Sequence, residues 1–387
     1  MKIFFLPTSY PNEQYPQKDI FIYEQAKLLA SMGHEIIVLH VEKQPLKYVF
    51  KDISNEIKEL NDGFAIRFSI MQKTFLEDRF PGLNRDLFVH NMERLYGEAV
   101  RKYGVPDVMY AHFSCWAGYA GAKLSIKYGV PLVTLEHFGG LLSKKVKRSL
   151  VFGVTFTLSH SKAFLSVSES LKNSIQRFAG DKYDISIIPN MVDSSFCYSP
   201  RIPKDKFVIS SIGNLNKGKD FATLINAFCV AFSKEDQVIL RIGGGGPEEE
   251  ALKTLISSHD RMHQITLLGR LTREQTIREY QYCDCFALAS RFETFGLVYR
   301  EALVTGRPIV STNHGGFSRS DWHDEYGFLV SIGDVSGIAS ALIKMRENID
   351  LFDGKKISTY CLADCSPDII GKRIETVLYD AIGDDKV

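Results

Sequence analysis

Residues 283–306 read CDCFALASRFETFGLVYREALVTG. The first part is almost wholly apolar and of strand length. The second carries Leu297, Val298, Glu301 and Val304 at helical spacing, so the stretch reads as a buried strand running straight into a helix that opens at about Phe295. A strand apolar on both faces belongs to a sheet covered on both sides, and strand followed by helix is the repeating unit of parallel α/β folds. The rhythm extends outward. Upstream, Lys2–Leu6, Glu35–Val41, Asp107–His112, Leu132–Glu136, Phe164–Val167 and Ser186–Ile188 read as strands. Ile20–Met32 is a helix bearing Ile22, Ala26 and Leu29 on one face, with Gly33 as its C-cap. A second series runs through Phe207–Ile212, Val238–Ile242, Ile265–Leu268, Cys285–Leu288 and Pro308–Ser311. The fold class is therefore α/β: two doubly wound, Rossmann-like domains, expected over 1–190 and 206–365. The Pro-, Ser- and Asp-rich 191–205 reads as a linker, and a C-terminal helix over 366–387 is expected to pack back on the first domain. Open α/β sheets bind ligands at the carboxyl ends of their strands, so an interdomain cleft is the expected site.

Composition narrows the class. Of 387 residues, 45% are hydrophobic and 24% charged, ordinary globular values. Lys and Arg number 47 against 46 Asp and Glu, which argues against a nucleic-acid partner held by bulk positive charge. The balance hides an asymmetry: residues 1–190 carry 24 basic and 19 acidic side chains, the remainder 23 and 27. No apolar run reaches the ~20 residues of a membrane span, and Ile3–Leu6 is too short for a signal-peptide core. Seven cysteines without a CxxC pair fit reduced, mostly buried thiols in a cytoplasmic protein. No HExxH and no DxD loop is present, and Cys283 and Cys285 would alternate faces of one strand, so no metal and no cofactor is expected.

Chemistry concentrates in a few places. Glu301 falls on the apolar stripe of its helix, where a carboxylate must be paired, hydrogen-bonded or facing a ligand. Glu293 lies in the loop before it. The amides around Phe295–Leu297 open the helix and are free to meet an anion. Two readings stay open: a buried structural glutamate beside a helix cap, or two ligand-binding carboxylates. Lys219 precedes a helix over Asp220–Phe232 and adds a point charge to its dipole, which suits a diphosphate. The glycines 243–246 end in GGGGPE, so a dinucleotide fingerprint fails at Glu248 and a wide strand–helix turn is the simpler reading. The segment Ser143–Arg148 carries Lys144, Lys145, Lys147 and Arg148. That is either a solvated helix face or a patch meeting anionic lipid, a peripheral membrane contact.

Glu293 and Glu301 also form an E-x₇-E spacing that resembles the signature of retaining glycosyltransferases of family 4, which have the GT-B fold. Further segments agree in order: SIGNLNKGKDFATLINAF, IGGGGPEEEALKTLI, TLLGRLTREQTIREYQYCDCFALAS, IIPNMVD with Met191 for a usual glycine, and EALVTGRPIVSTNHGG. The N-terminal SYPNEQYPQKDIFIYEQAKLLASMGHEIIVL resembles the family's first βαβ unit. The resemblance implies a nucleotide-sugar donor and a saccharide or lipid-linked acceptor in surface polysaccharide synthesis. It implies that Lys219 binds the diphosphate, Glu293 a donor-sugar hydroxyl and Glu301 the ribose, with Arg270 and Leu271 beside the base. Thr294, Phe295, Gly296 and Leu297 complete the donor loop, and His137, after strand Leu132–Glu136, stands near the scissile bond. Catalysis would then rest on Glu293, His137 and Lys219. Where the family usually has an arginine, this chain has Asn214, with Arg291 a possible substitute. Gln17, Lys18 and Asp19 stand where a glycine loop is frequent; Asp19 either caps the helix at Ile20, or Lys18 faces the phosphates. A non-catalytic nucleotide-sugar-binding partner and a sugar-nucleotide epimerase remain alternatives on these residues.

Overall fold

The computed structural model describes residues 1–12, 18–45, 56–74, 81–143, 145–317 and 322–383. The chain forms two compact units, Met1–Met191 with Asp368–Val387, and Val192–Pro367.

The first unit is built on strands β1 (Lys2–Pro7), β2 (Glu35–Pro45), β3 (Lys58–Asn61), β4 (Ile66–Thr74), β5 (Val108–His112), β6 (Leu132–Glu136), β7 (Ala163–Ser166) and β8 (Ser186–Ile187). Its helices are α1 (Ile20–Ser31), α2 (Pro81–Tyr103), α3 (Tyr119–Tyr128), α4 (Arg148–His160) and α5 (Glu169–Ala179). Strand order is β3-β4-β2-β1-β5-β6-β7-β8, parallel except for β3 against β4. The central strands β5 and β6 are buried at every residue, which is why they read as continuous apolar runs. The pair β3–β4 has no such signature. β3 is exposed throughout, and β4 alternates polar and apolar residues, so it escapes a search for buried strands.

The second unit contains β9 (Phe207–Ile212), β10 (Val238–Gly243), β11 (Ile265–Gly269), β12 (Cys285–Leu288), β13 (Ile309–Thr312) and β14 (Gly327–Val330). Helices α6 (Phe221–Ala231), α7 (Glu249–Ser258), α8 (Arg273–Tyr282), α9 (Leu297–Val304), α10 (Val335–Glu347) and α11 (Gly354–Cys365) belong to it. Its order β11-β10-β9-β12-β13-β14 is the doubly wound 3-2-1-4-5-6 arrangement, with the direction of winding reversing between β9 and β12. The first sheet reverses likewise between β1 and β5. Both units are thus Rossmann-like, as expected.

Residues 192–205 do not hang free: they are strapped to the second unit. Val192 N–H donates to the Cys365 carbonyl at 2.9 Å. Asp193 pairs with Arg273 at 2.9 Å. The wholly buried Arg307 donates to the carbonyls of Ser199 at 2.6 Å, Gln281 at 2.7 Å and Thr305 at 3.1 Å. The last helix, α12 (Pro367–Ile382), lies with the first unit: Gly371 sits where a Cβ would press on Met32 and Leu28, and Glu375 meets His34 at 2.8 Å.

Cys283 is not in a strand; it ends α8, and β12 starts at Cys285. All seven cysteines are free thiols. Among the described residues no helix is long and apolar enough to cross a membrane.

Candidate active site

In the second unit the winding reverses between β9 and β12, so the loops leaving these two strands diverge and open a crevice. Lys219 lies in the first loop and Glu293 in the second, and their side chains meet: Lys219 Nζ stands 2.5 Å from Glu293 Oε1. Both are only partly exposed. Ser290 Oγ donates to the same carboxylate oxygen at 2.7 Å. The Lys219 loop is shaped by Asn216, whose side-chain oxygen accepts from the amides of Gly218 at 2.9 Å and Lys219 at 3.2 Å. It is tied to the other loop where Arg291 N–H donates to the Gly218 carbonyl at 2.8 Å.

The Glu293 loop is braced from β13 as well. Glu293 N–H donates to the His314 carbonyl at 3.2 Å. His314 Nδ1 accepts from Gly316 N–H at 2.9 Å, which leaves its proton on Nε2, facing Ser311 Oγ at 3.1 Å. Burial holds its pKa down to about 4, so it is neutral. The buried Arg300 guanidinium lies between the rings of Phe295 and Phe317, 3.8 and 4.2 Å from their centres, and donates to the carbonyls of Phe295 and Gly316. It thus joins the two loops that flank Glu293.

Helix α9 starts at Leu297, two residues later than the pattern suggests. Gly296 holds its N-cap with φ 76°, a left-handed conformation that glycine adopts freely and that delays the first turn. Thr294 and Phe295 are loop residues before it, Thr294 half-buried and Phe295 buried. Glu301 does face inward, at 8% exposure. Tyr280 Oη lies 3.1 Å from its Oε2 and 2.9 Å from the Val298 carbonyl. Desolvation raises the Glu301 pKa to about 7, against the pull of Arg273 and of the Tyr280 hydrogen bond.

The glycines 243–246 have a structural explanation. Gly213 N–H donates to the Gly243 carbonyl at 3.0 Å, Leu215 N–H to Gly245 at 3.2 Å, and Gly244 N–H to Gly269 at 2.7 Å. A Cβ on Gly244 would lie 1.9 Å from the Gly213 oxygen, so only glycine lets the loops after β9, β10 and β11 pack so closely. Arg270 and Leu271 lie against this run, Arg270 exposed and Leu271 half-buried. Asn214 is exposed, with its carbonyl taken by Asn216 N–H at 2.8 Å. Arg291 does not stand free in its place: it pairs with Asp220 at 2.9 Å.

In the first unit His137 follows β6 but is buried, at 5% exposure, rather than projecting from the sheet edge. Its Nε2 is 3.0 Å from His112 Nδ1 at the end of β5. Burial drives the His137 pKa down to about 3, so the pair shares one hydrogen bond between two neutral rings. Beneath it, the fully buried Glu136 carboxylate accepts from the amides of Ser114 at 2.9 Å, His137 at 2.8 Å and Phe138 at 2.7 Å, and from the Ser114 hydroxyl. A glutamate closing an apolar strand beside a histidine was the available signal for this staple. Asp19 occupies the N-cap position of α1 without capping it; its carboxylate accepts from Ser9 Oγ instead. Lys18 is exposed; Gln17 and Lys144 lie outside the described residues. Of the described basic residues in this segment, Lys145 and Lys147 are exposed and precede α4, and Arg148 is its first residue, so these residues do not form a helix face. Among the described residues no three His, Cys, Asp or Glu side chains gather closely enough to hold a metal ion.

Comparison with known proteins places the chain in a family. Residues 198–351 match the model of the group 1 glycosyl transferases, and residues 19–196 that of glycosyltransferase family 4. N-acetyl-α-D-glucosaminyl L-malate synthase of Bacillus anthracis is 24% identical over 72% of this chain and 76% of its own. An N-acetylgalactosaminyltransferase of Campylobacter jejuni, whose name specifies a diphospho-undecaprenol-linked acceptor, is 27% identical over 70% and 68%. Among solved structures, sucrose-phosphate synthase of Thermosynechococcus elongatus superposes with a TM-score of 0.80 over 97% of this chain and 98% of its own, at 16% identity. With two matched regions spanning most of the sequence and the E-x₇-E glutamates placed around the second sheet's switch point, the chain belongs to family 4 of the glycosyltransferases, group 1 enzymes of GT-B fold.

Proposed function

We propose that this glycosyltransferase takes a sugar from a nucleotide-sugar, with retention of configuration, and passes it to a glycan or lipid-linked saccharide in surface polysaccharide synthesis. The observation that carries the donor reading is the Lys219–Glu293 pair, 2.5 Å apart at the switch point of the second sheet. A lysine at a helix start and a carboxylate at the mouth of the neighbouring loop are the two groups a sugar diphosphate needs. In this reading the ammonium leaves Glu293 for the diphosphate when donor binds. Glu293 then accepts hydrogen bonds from a sugar hydroxyl, with Ser290 holding its orientation. As the glycosidic bond breaks, negative charge grows on the leaving diphosphate, and Lys219 with the first amides of α6 and α9 stabilises it electrostatically. Glu301, once ionised, accepts from the ribose, and Arg270 and Leu271 border the base. The E-x₇-E spacing of Glu293 and Glu301, which resembles that of retaining enzymes, supports the retaining reading. His137 acts as a neutral hydrogen-bonding group, since its depressed pKa keeps it uncharged at working pH. The resident chemistry needs no metal in this scheme.

The test is turnover by Lys219→Ala and Glu293→Gln with a radiolabelled nucleotide-sugar. Each is expected to lose at least about a hundredfold in kcat, the scale of losing one charge-stabilising group, with unchanged circular dichroism. Wild-type turnover by both variants would overturn the assignment.

A further inference from the structure

The first unit buries two imidazoles against each other, and the transfer scheme above uses only one of them. His112 ends β5 and His137 follows β6, the neighbouring strand of the sheet. The rings lie 5.2 Å apart at an interplanar angle of 21°, with His112 Nδ1 3.0 Å from His137 Nε2. His112 is wholly buried and rests against the rings of Phe5 at 4.5 Å and Tyr110 at 4.6 Å. His137 packs on Phe21 of α1 at 4.8 Å and on Phe113 at 5.3 Å.

The backbone beside the pair is strained. Phe113, directly after His112, has φ 69°, a conformation that costs a bulky side chain free energy. Neighbouring bonds hold it there. Phe113 N–H donates to the Leu135 carbonyl at 3.0 Å, and Thr8 Oγ1 donates to the His112 carbonyl at 3.0 Å. The next amide, that of Ser114, donates to the Glu136 carboxylate at 2.9 Å. Strain of this kind persists only where the surroundings over-determine it, and it gathers at functional sites. A second observation lies in the rings themselves. His112 Nε2 and His137 Nδ1 are both buried and have no hydrogen-bond partner among the described residues. A buried polar atom left unpaired is costly until something pairs with it.

The bond between the rings needs one proton, and the ring that supplies it decides what the other nitrogens can do. Asn190, 5% exposed, stands beside His137. Burial lowers the His137 pKa, and the Asn190 side chain works against burial by favouring a proton on this ring. Asn190 is itself oriented: its Oδ1 accepts from Gln25 Nε2 at 3.5 Å, and Gln25 Oε1 accepts from Tyr110 Oη at 3.2 Å. With the His137 proton on Nδ1, Nε2 is left to accept from His112 Nδ1–H, and both rings stay neutral. We infer that His112 is a positioning residue: it donates from Nδ1 to His137 Nε2, fixes that ring's plane and tautomer, and so leaves His137 Nδ1–H as the group that meets a substrate oxygen at the scissile bond. The inference rests on the glycosyl-transfer reading and adds a residue to it.

The experiment reads the tautomer and the turnover of the full chain. Ring ¹⁵N NMR of histidine-labelled protein, with the His137 signals assigned by their loss in His137→Gln, is expected to show the proton on Nδ1. His112→Phe keeps a ring but removes the donor; His137 is then expected to move to the Nε2–H form or to a mixture. His112→Asn puts an amide N–H near the position of Nδ1 and is expected to restore the Nδ1–H form. Turnover with a radiolabelled nucleotide-sugar should follow the spectra. His112→Phe is expected to lose at least about tenfold in kcat, the scale of one hydrogen bond, with KM for the nucleotide-sugar unchanged, and His112→Asn to regain most of that loss. A wild-type His137 protonated on Nε2 overturns the inference without any variant, so a misfolded His112→Phe cannot shield it. Wild-type kcat in His112→Phe also overturns it, and so do equal losses in His112→Phe and His112→Asn, which mark a merely structural ring. Absence of turnover in the wild type would sink the transfer reading instead; the spectra, taken without substrate, still decide whether His112 sets the His137 ring.

Discussion

Replacing Glu301 by glutamine isolates the cost of burying its charge. A carboxyl that ordinarily titrates near 4.5 does so at about 7 here because desolvation outweighs the help of Arg273 and Tyr280. Between those two values the folded chain holds a proton that the unfolded chain has lost. The unfolded state therefore binds fewer protons, and stability must fall as pH rises through the window. The full difference is about 3 kcal/mol, on the scale of 1.36 kcal/mol per pKa unit. The protonated form suits the local geometry: Tyr280 has one hydroxyl proton and lies near two acceptors, the Val298 carbonyl and Glu301 Oε2. A protonated Glu301 donates to the phenol and frees that proton for the carbonyl. Glu301→Gln keeps the shape and removes the titration. The assay is urea unfolding at several pH values in a Trp116→Phe background, where Trp322 is the remaining tryptophan and reports on the second unit. The stability advantage of Glu301→Gln over its parent should grow by about 3 kcal/mol from below pH 4.5 to about pH 8. A gap that is flat with pH would refute the reasoning.

Three other substitutions probe the scaffold. Gly244→Ala puts a Cβ 1.9 Å from the Gly213 oxygen; it should destabilise the second unit by more than about 3 kcal/mol in the same urea assay. Arg307→Met leaves the carbonyls of Ser199, Gln281 and Thr305 without their donor and should cost about 3 kcal/mol, with faster proteolysis around 199–205. Glu136→Gln removes the charge that three amides and a hydroxyl point toward. Hydrogen exchange at His137 and Phe138 should quicken by at least about tenfold, and kcat should fall while nucleotide affinity stays.

The parts of this fold that could be read in advance are those where burial is complete. Strands such as β5, β6 and β12 are buried at every residue, and the loops that follow β6 and β12 carry the candidates His137 and Glu293. Glu301 was legible for the same reason, as a charge on an apolar stripe. The exposed β3 and the alternating β4 carry a pattern that only cross-strand pairing makes into sheet. Long-range partners were invisible because nothing local encodes them: Lys219 and Glu293 are 74 residues apart, and Arg307 holds the 199–200 backbone 108 and 107 residues away. Pro- and Ser-rich composition suggested a linker at 191–205, yet a buried arginine and the Asp193–Arg273 pair bind it to one unit. The burial of His137 was not legible either: it lies beside Glu136, whose carboxylate accepts from three backbone amides, one of them of Ser114 on another strand's loop.

The central claim is that the Lys219–Glu293 crevice receives a nucleotide-sugar diphosphate. Thermal unfolding of the wild type and of Lys219→Ala against UDP-, GDP- and ADP-sugars tests it most directly. One nucleotide class should stabilise the wild type by about 2.7 kcal/mol at a hundred times its Kd, and that stabilisation should vanish in Lys219→Ala. Stabilisation by none of the donors, or by the same donor equally in both proteins, would contradict it.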